Sequence, residues 1–278
     1  MELFNIILVN PLLNVLVAIY QGLTLLHVPG ALGFSIILLT ILIRLLLYPI
    51  TGSQLKASKK MQDLHPHLSK LKAKHKGDAK TLQQETMKLY KEHGVNPAAG
   101  CLPLLVQLPI FWGLYTVLQQ VVAGNPTQVL SSVNTVLYTQ ALALKAPWNP
   151  NFFGIPLGQS PAHLMGVIGP LILLAPFLTA FSQFLSTKMM MAVKQKNNAI
   201  VEKKDKQASD DFAQAFQTQS MYIFPLMIGF FSFQLPFGMT LYWITFTVFG
   251  ILQQYRVSGL GGLKPWVESL KKKLWMKK

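Results

Sequence analysis

The sequence predicts an all-α polytopic membrane protein, and three observations carry that prediction. Hydrophobic residues make up 51% of the 278 and charged ones only 13%, against roughly 25% charged in a soluble globular domain. The apolar residues gather into uncharged stretches long enough to cross a hydrocarbon core of about 30 Å at about 1.5 Å per residue. The 25 Lys and Arg, which exceed the acidic residues by fifteen, fall in alternate loops. Such a surplus calls for an anionic partner, either nucleic acid or lipid. A single Cys excludes an internal disulfide and a Cys-based metal site.

Residues 31–50 carry one charge, Arg44, and can just span. Residues 98–122 and 162–186 carry none and are long enough to cross with some tilt. The last block, 221–255, is interrupted by Leu235-Pro236-Phe237-Gly238, a Pro/Gly pair that turns the chain. It therefore divides into spans 221–235 and 238–255.

Charge sets the orientation. Residues 51–97 hold ten Lys, 187–220 hold six, and the tail from Arg256 holds seven Lys and Arg. Residues 1–30 hold none and 123–161 hold only Lys145. Short basic loops stay cytoplasmic, and a single crossing over 221–255 would strand the basic tail outside. The hairpin removes that conflict and predicts five spans, with the N-terminus outside and the C-terminus in the cytoplasm.

Residues 4–26 are apolar as well. A signal peptide would need a basic n-region, which is missing, and a sixth span would place an uncharged terminus inside. Asn10, Asn14 and Gln21 share one helical face, so residues 1–27 are expected as an amphipathic helix on the outer interface.

Within 52–95, Met61, Leu64, Leu68 and Leu71 recur at helical spacing. His75-Lys76-Gly77-Asp78 then turns the chain with Asp78 as an N-cap, and Leu82, Thr86, Leu89 and Tyr90 carry a second stripe ending at His93-Gly94. A cytoplasmic helical hairpin is expected, the alternative being a solvated basic linker. His65-Pro66-His67 lacks a third ligand nearby, so no metal is expected. The tail 259–278, with Trp266, Trp275 and Lys271 to Lys273, suits anionic headgroups or ribosomal RNA.

The residues that least belong in lipid are the informative ones. Arg44 lies about 9 Å from the cytoplasmic end of its span by helix rise, and a central Arg costs roughly 2.5–3.5 kcal/mol on insertion scales. It either faces a water-filled cavity or snorkels to the inner headgroups. Thr40 lies one turn earlier on the same face. Gln107 in the second span, Gln183 near the inner end of the third and Trp243 near the outer end of the fifth complete a possible lining. Their bland readings are helix-to-helix hydrogen bonds for the Gln residues and an interfacial anchor for the Trp. Pro103, Pro109, Pro170 and Pro176 suit a bundle that opens, and equally an ordinary kinked one. There is no Walker A sequence, and no acidic or His cluster lies in the spans. Ala98-Ala99-Gly100-Cys101 resembles a lipoprotein cleavage box, but charged residues precede it, so Cys101 is expected to be a packing residue.

The run Gly94 to Tyr115, GVNPAAGCLPLLVQLPIFWGLY, closely resembles the signature of the YidC membrane protein insertases. Arg44, the basic hairpin before Gly94 and LPFGMTLYW at Leu235 to Trp243 extend the resemblance over residues 28–258. It implies five core helices around a hydrophilic groove open to cytoplasm and lipid, with Arg44 as the groove arginine. Thr40, Gln183 and Trp243 match groove positions, and Gln107 joins them by depth. It also implies the short form, although no lipoprotein Cys stands near the N-terminus.

The implied activity is insertion of nascent membrane proteins and help with their folding, without ATP hydrolysis, catalytic residues, metal or cofactor, so no enzyme is expected. The implied partners are nascent membrane proteins, the ribosome through the basic tail, the Sec translocon and anionic lipids, but not DNA. The implied location is the bacterial plasma membrane. One rival is a polar-lined channel or transporter for a small solute. Transporters tend to show internal repeats, and none is found between the two halves. A chaperone that binds membrane proteins without inserting them is the other.

Overall fold

The computed structural model describes residues 2–75, 77–95, 102–122, 126–191 and 208–275. Helices dominate, and a two-residue antiparallel pair, Asn151–Phe152 with Ile155–Pro156, is the sheet among the described residues. The helices are α1 (Glu2–Leu25), α2 (Ala31–Leu46), α3 (Tyr48–Asp63), α4 (His65–Lys74), α5 (Ala79–Glu92) and α6 (Leu102–Val122). They continue as α7 (Pro126–Thr135), α8 (Pro161–Ile168), α9 (Leu174–Met189), α10 (Ala208–Gln234), α11 (Phe237–Ser258) and α12 (Lys264–Trp275). By length and composition, α1 and the stretch Pro170–Met189 can each cross a membrane, and Ala31–Leu46 passes that test only together with the helix that follows it.

Several expected spans have different limits. The stretch 162–186 is broken, because α8 stops at Ile168 and Gly169 takes a φ of 96° before a 3-10 turn at Pro170–Leu173. Pro170 has no N–H to continue a helix, and Gly169 can adopt a left-handed φ without strain. Apolar composition cannot register that break. The 31–50 stretch ends its first helix at Leu46, and 221–235 is the last part of the longer α10. Residues 98–101 of the second expected span, including Cys101 and most of the GVNPAAGC run, lie outside the described residues. So do 192–207 of the second basic loop and 276–278 of the tail.

The chain forms two compact units. The first comprises Met1–Tyr48, Leu104–Ser182 and Met227–Phe249. Its core joins Leu13, Leu16 and Val17 of α1 to Leu32, Ile36 and Leu39 of α2, Leu114 and Leu118 of α6 and Met239 and Tyr242 of α11. The Phe152 ring lies against α2 where Gly33 leaves room, since a side chain there would overlap the ring. The break between α10 and α11 falls at Leu235-Pro236, and it is pinned by Phe237 N–H donating to Gln159 O and Gly238 N–H to Leu157 O, both at 2.9 Å.

The polar stripe of α1 meets the backbone of the loop that follows α7. Asn14 is 4% exposed. Its Nδ2 donates to Val136 O at 3.0 Å and its Oδ1 accepts from Tyr138 N–H at 2.8 Å. Gln21 Nε2 donates to Leu142 O at 2.7 Å. Irregular backbone after α7 needs partners for its polar groups, and these side chains supply them.

The second unit comprises Pro49–Pro103, Gln183–Leu226 and Gly250–Lys278. Here α4 packs on α5, and Asp78 caps α5 by accepting from Thr81 N–H at 3.0 Å and Thr81 Oγ1 at 2.5 Å. The start of α12 is docked: Trp266 lies 6.0 Å from the Phe184 ring and beneath the Lys188 ammonium at 4.8 Å.

Candidate functional site

The site in the first unit is built around one charge on an apolar helix. Arg44 sits in the last turn of α2 and is 8% exposed. Its Nη2 donates to the carbonyl of Phe246 at 2.6 Å, and its Cζ lies 3.4 Å from the centre of the Phe246 ring. One residue of α11 thus holds the guanidinium twice. The Nε is buried with no hydrogen-bond partner among the described residues. A charge-assisted bond contributes about 1.5–3 kcal/mol and a desolvated cation–π contact about 2 kcal/mol, enough to offset the insertion cost of roughly 2.5–3.5 kcal/mol. The buried Nε N–H is nevertheless left out of that compensation.

Thr40 is buried one turn earlier, and its hydroxyl donates to Ile36 O at 2.6 Å. Its proton is therefore used within its own helix, and only lone pairs remain to accept. Gln107 of α6 donates from Nε2 to the Tyr242 hydroxyl at 2.7 Å, tying α6 to α11. Trp243 stacks on Phe111 of α6 at 5.3 Å and 30°. The rings of Tyr242 and Phe246, one turn apart on α11, are 5.6 Å from each other.

Arg44 and Gln107 thus meet α11 at Phe246 and Tyr242, one turn apart, while Trp243 of α11 faces Phe111 of α6. Gln183 belongs to the second unit, where its carbonyl accepts from Thr187 Oγ1 at 2.9 Å. Sequence reasoning passed over Tyr242 and Phe246. The available signal was the spacing of Tyr242, Trp243 and Phe246, which puts three aromatics on adjoining helical faces. It also passed over a hydroxyl cluster in which Ser232 Oγ of α10 lies 3.3 Å from Thr179 Oγ1 of α9 and 3.0 Å from Thr240 Oγ1 of α11, with one proton to give between them. All three are fully buried.

A family model described as 60Kd inner membrane protein matches residues 24–260. The chain belongs to the YidC/Oxa1 insertase family. Within that family it is 33% identical over 233 residues to the membrane protein insertase YidC of Fusobacterium nucleatum, covering 84% of this chain and 88% of that protein. It is 33% identical over 231 residues to the insertase MisCA of Bacillus subtilis, covering 82% and 70%. The inner membrane protein ALBINO3 of Arabidopsis thaliana chloroplasts is 33% identical over 254 residues, 90% of this chain but 52% of that protein. The chain spans about half the length of such chloroplast relatives. A crystal structure of an active YidC insertase with its first transmembrane domain resolved superposes with a TM-score of 0.51 at 25% identity, over 86% of this chain and 46% of that one. The aromatic face around Arg44 lies wholly within the part of this YidC/Oxa1 family member that the family model matches.

Proposed function

We propose that this protein inserts nascent membrane proteins into the bilayer and assists their folding, with Arg44 meeting the polar segment that must cross. The observation that carries the reading is the buried guanidinium of Arg44 with an unfilled Nε donor, placed on an otherwise apolar helix. A buried polar donor without a partner is costly, and a peptide carbonyl or carboxylate from a substrate would fill it. The insertase names of the Fusobacterium and Bacillus relatives support the same activity and do not favour a small-solute channel.

In this reading five spans surround a hydrophilic groove, with Thr40, Gln107 and Trp243 lining it beside Arg44. Water and Arg44 replace the hydration lost by an external segment, and acidic segments benefit most. Transfer of the apolar substrate helix into lipid then drives release, aided by the membrane potential on acidic residues. ATP hydrolysis has no part in the cycle. Residues 52–95 act as a cytoplasmic lid or receiving platform, and the basic tail meets the ribosome or anionic lipid, with the Sec translocon as a further partner. The location is the bacterial plasma membrane, with the N-terminus outside and the C-terminus in the cytoplasm.

The test is insertion of a small two-span reporter into liposomes holding the purified protein, with the external segment either acidic or neutral. Arg44→Ala should lower insertion of the acidic reporter on the order of tenfold, the loss of about one charge-assisted hydrogen bond, while Arg44→Lys retains most of it. Equal insertion of both reporters by Arg44→Ala and the unsubstituted protein would overturn the reading.

A further inference from the structure

The double hold of Phe246 on Arg44 carries a second conclusion, which rests on the reading above. A guanidinium has five N–H donors in a rigid plane, so fixing one edge fixes the direction of the others. Arg44 Nη2 is fixed by the Phe246 carbonyl and the plane is held by contact of Cζ with the Phe246 ring. Tyr242, one turn before Phe246, is itself held by Gln107, and its ring lies 5.6 Å from the Phe246 ring at a tilt of 42°. The Phe246 ring therefore rests on a chain of contacts running from α6 through α11 to Arg44. The Nε is buried without a partner among the described residues, and one hydrogen bond of Nη2 holds the guanidinium edge.

We infer that Phe246 is a positioning residue that fixes the plane of the Arg44 guanidinium, and so directs its remaining N–H donors toward an acidic or carbonyl-rich substrate segment. The carbonyl part of the hold survives any substitution at 246, since it is backbone. The ring part does not. Without it the guanidinium is free to turn about its remaining bond, and its other donors are no longer directed. The same contact gives Phe246 a role that apolar bulk alone does not fill, because the ring face bears the negative pole of its quadrupole toward the cation.

The reporter assay separates this from packing. Phe246→Leu and Phe246→Met keep apolar volume without a π-face, and Phe246→Tyr keeps the face. The quantity read is the ratio of acidic to neutral reporter insertion. Both non-aromatic variants should lower that ratio on the order of tenfold with the neutral reporter nearly unchanged, and Phe246→Tyr should retain it. An equal proportional loss on both reporters, or an unchanged ratio in the Leu and Met variants, overturns the positioning role. Arg44→Ala runs alongside. If it collapses the ratio while the Phe246 variants do not, the positioning role alone has failed; if it leaves the ratio unchanged, the function proposed for Arg44 has failed.

Discussion

The bond between Gln107 and Tyr242 allows a sharp energetic test, because its two ends are buried to different extents. Tyr242 is 1% exposed, whereas Gln107 is half-buried. Replacing Gln107 with Leu strands the Tyr242 hydroxyl in a dry place and should destabilise by about 1–3 kcal/mol. Replacing Tyr242 with Phe removes the hydroxyl itself, and the Gln107 amide at its less buried position finds other partners, so the cost should be about 1 kcal/mol. With both changes no polar group is stranded, and the double variant should be more stable than Gln107→Leu alone. Reversible SDS titration of the purified protein in mixed micelles, followed by tryptophan fluorescence, measures the four stabilities of the cycle. The expected coupling is about 1 kcal/mol or more. Additivity within about 0.3–0.5 kcal/mol would mean the two groups do not share a bond that matters, and would remove the support that α6 is argued to give the Arg44 site.

Two further expectations concern one residue in each unit. Asn14→Ala leaves Val136 O and Tyr138 N–H without the partners that now satisfy them, and should cost about 2–4 kcal/mol; faster amide exchange at Tyr138 and earlier proteolysis near residue 137 are the readouts. Asp78 is held below the usual carboxylate range by the Thr81 hydroxyl, then by the Thr81 N–H. A depressed folded pKa adds stability above the unfolded value near 3.9 that is lost as pH falls through the folded one. The helicity of α5 should therefore decline on acidification below about pH 4, and Asp78→Ala should abolish that pH dependence in circular dichroism.

How far the sequence could be read differs between the helices and the site. The break at Leu235-Pro236 and the cap at Asp78 were legible because proline and a short acidic side chain act on their own backbone within a few residues. The split at Gly169-Pro170 depended on the same local chemistry but was hidden inside an uncharged stretch that read as one span. For α1, the stripe of Asn10, Asn14 and Gln21 was visible, yet its use was not, since the groups that satisfy Asn14 and Gln21 lie more than 110 residues away.

The amino-acid sequence by itself determined the chain's apolar character, its family and the one charge in the apolar stretch 31–50. Those properties follow from composition, from segregation of Lys and Arg, and from a contiguous motif, none of which requires knowing what touches what. Only the tertiary structure decided what Arg44 does with its donors. Phe246 lies 202 positions away and Gln107 meets Tyr242 across 135, and in an α-helix an aromatic residue bears no mark of the cation it will face. The direction of a guanidinium is a property of packing, and packing is where the unfilled Nε first becomes visible.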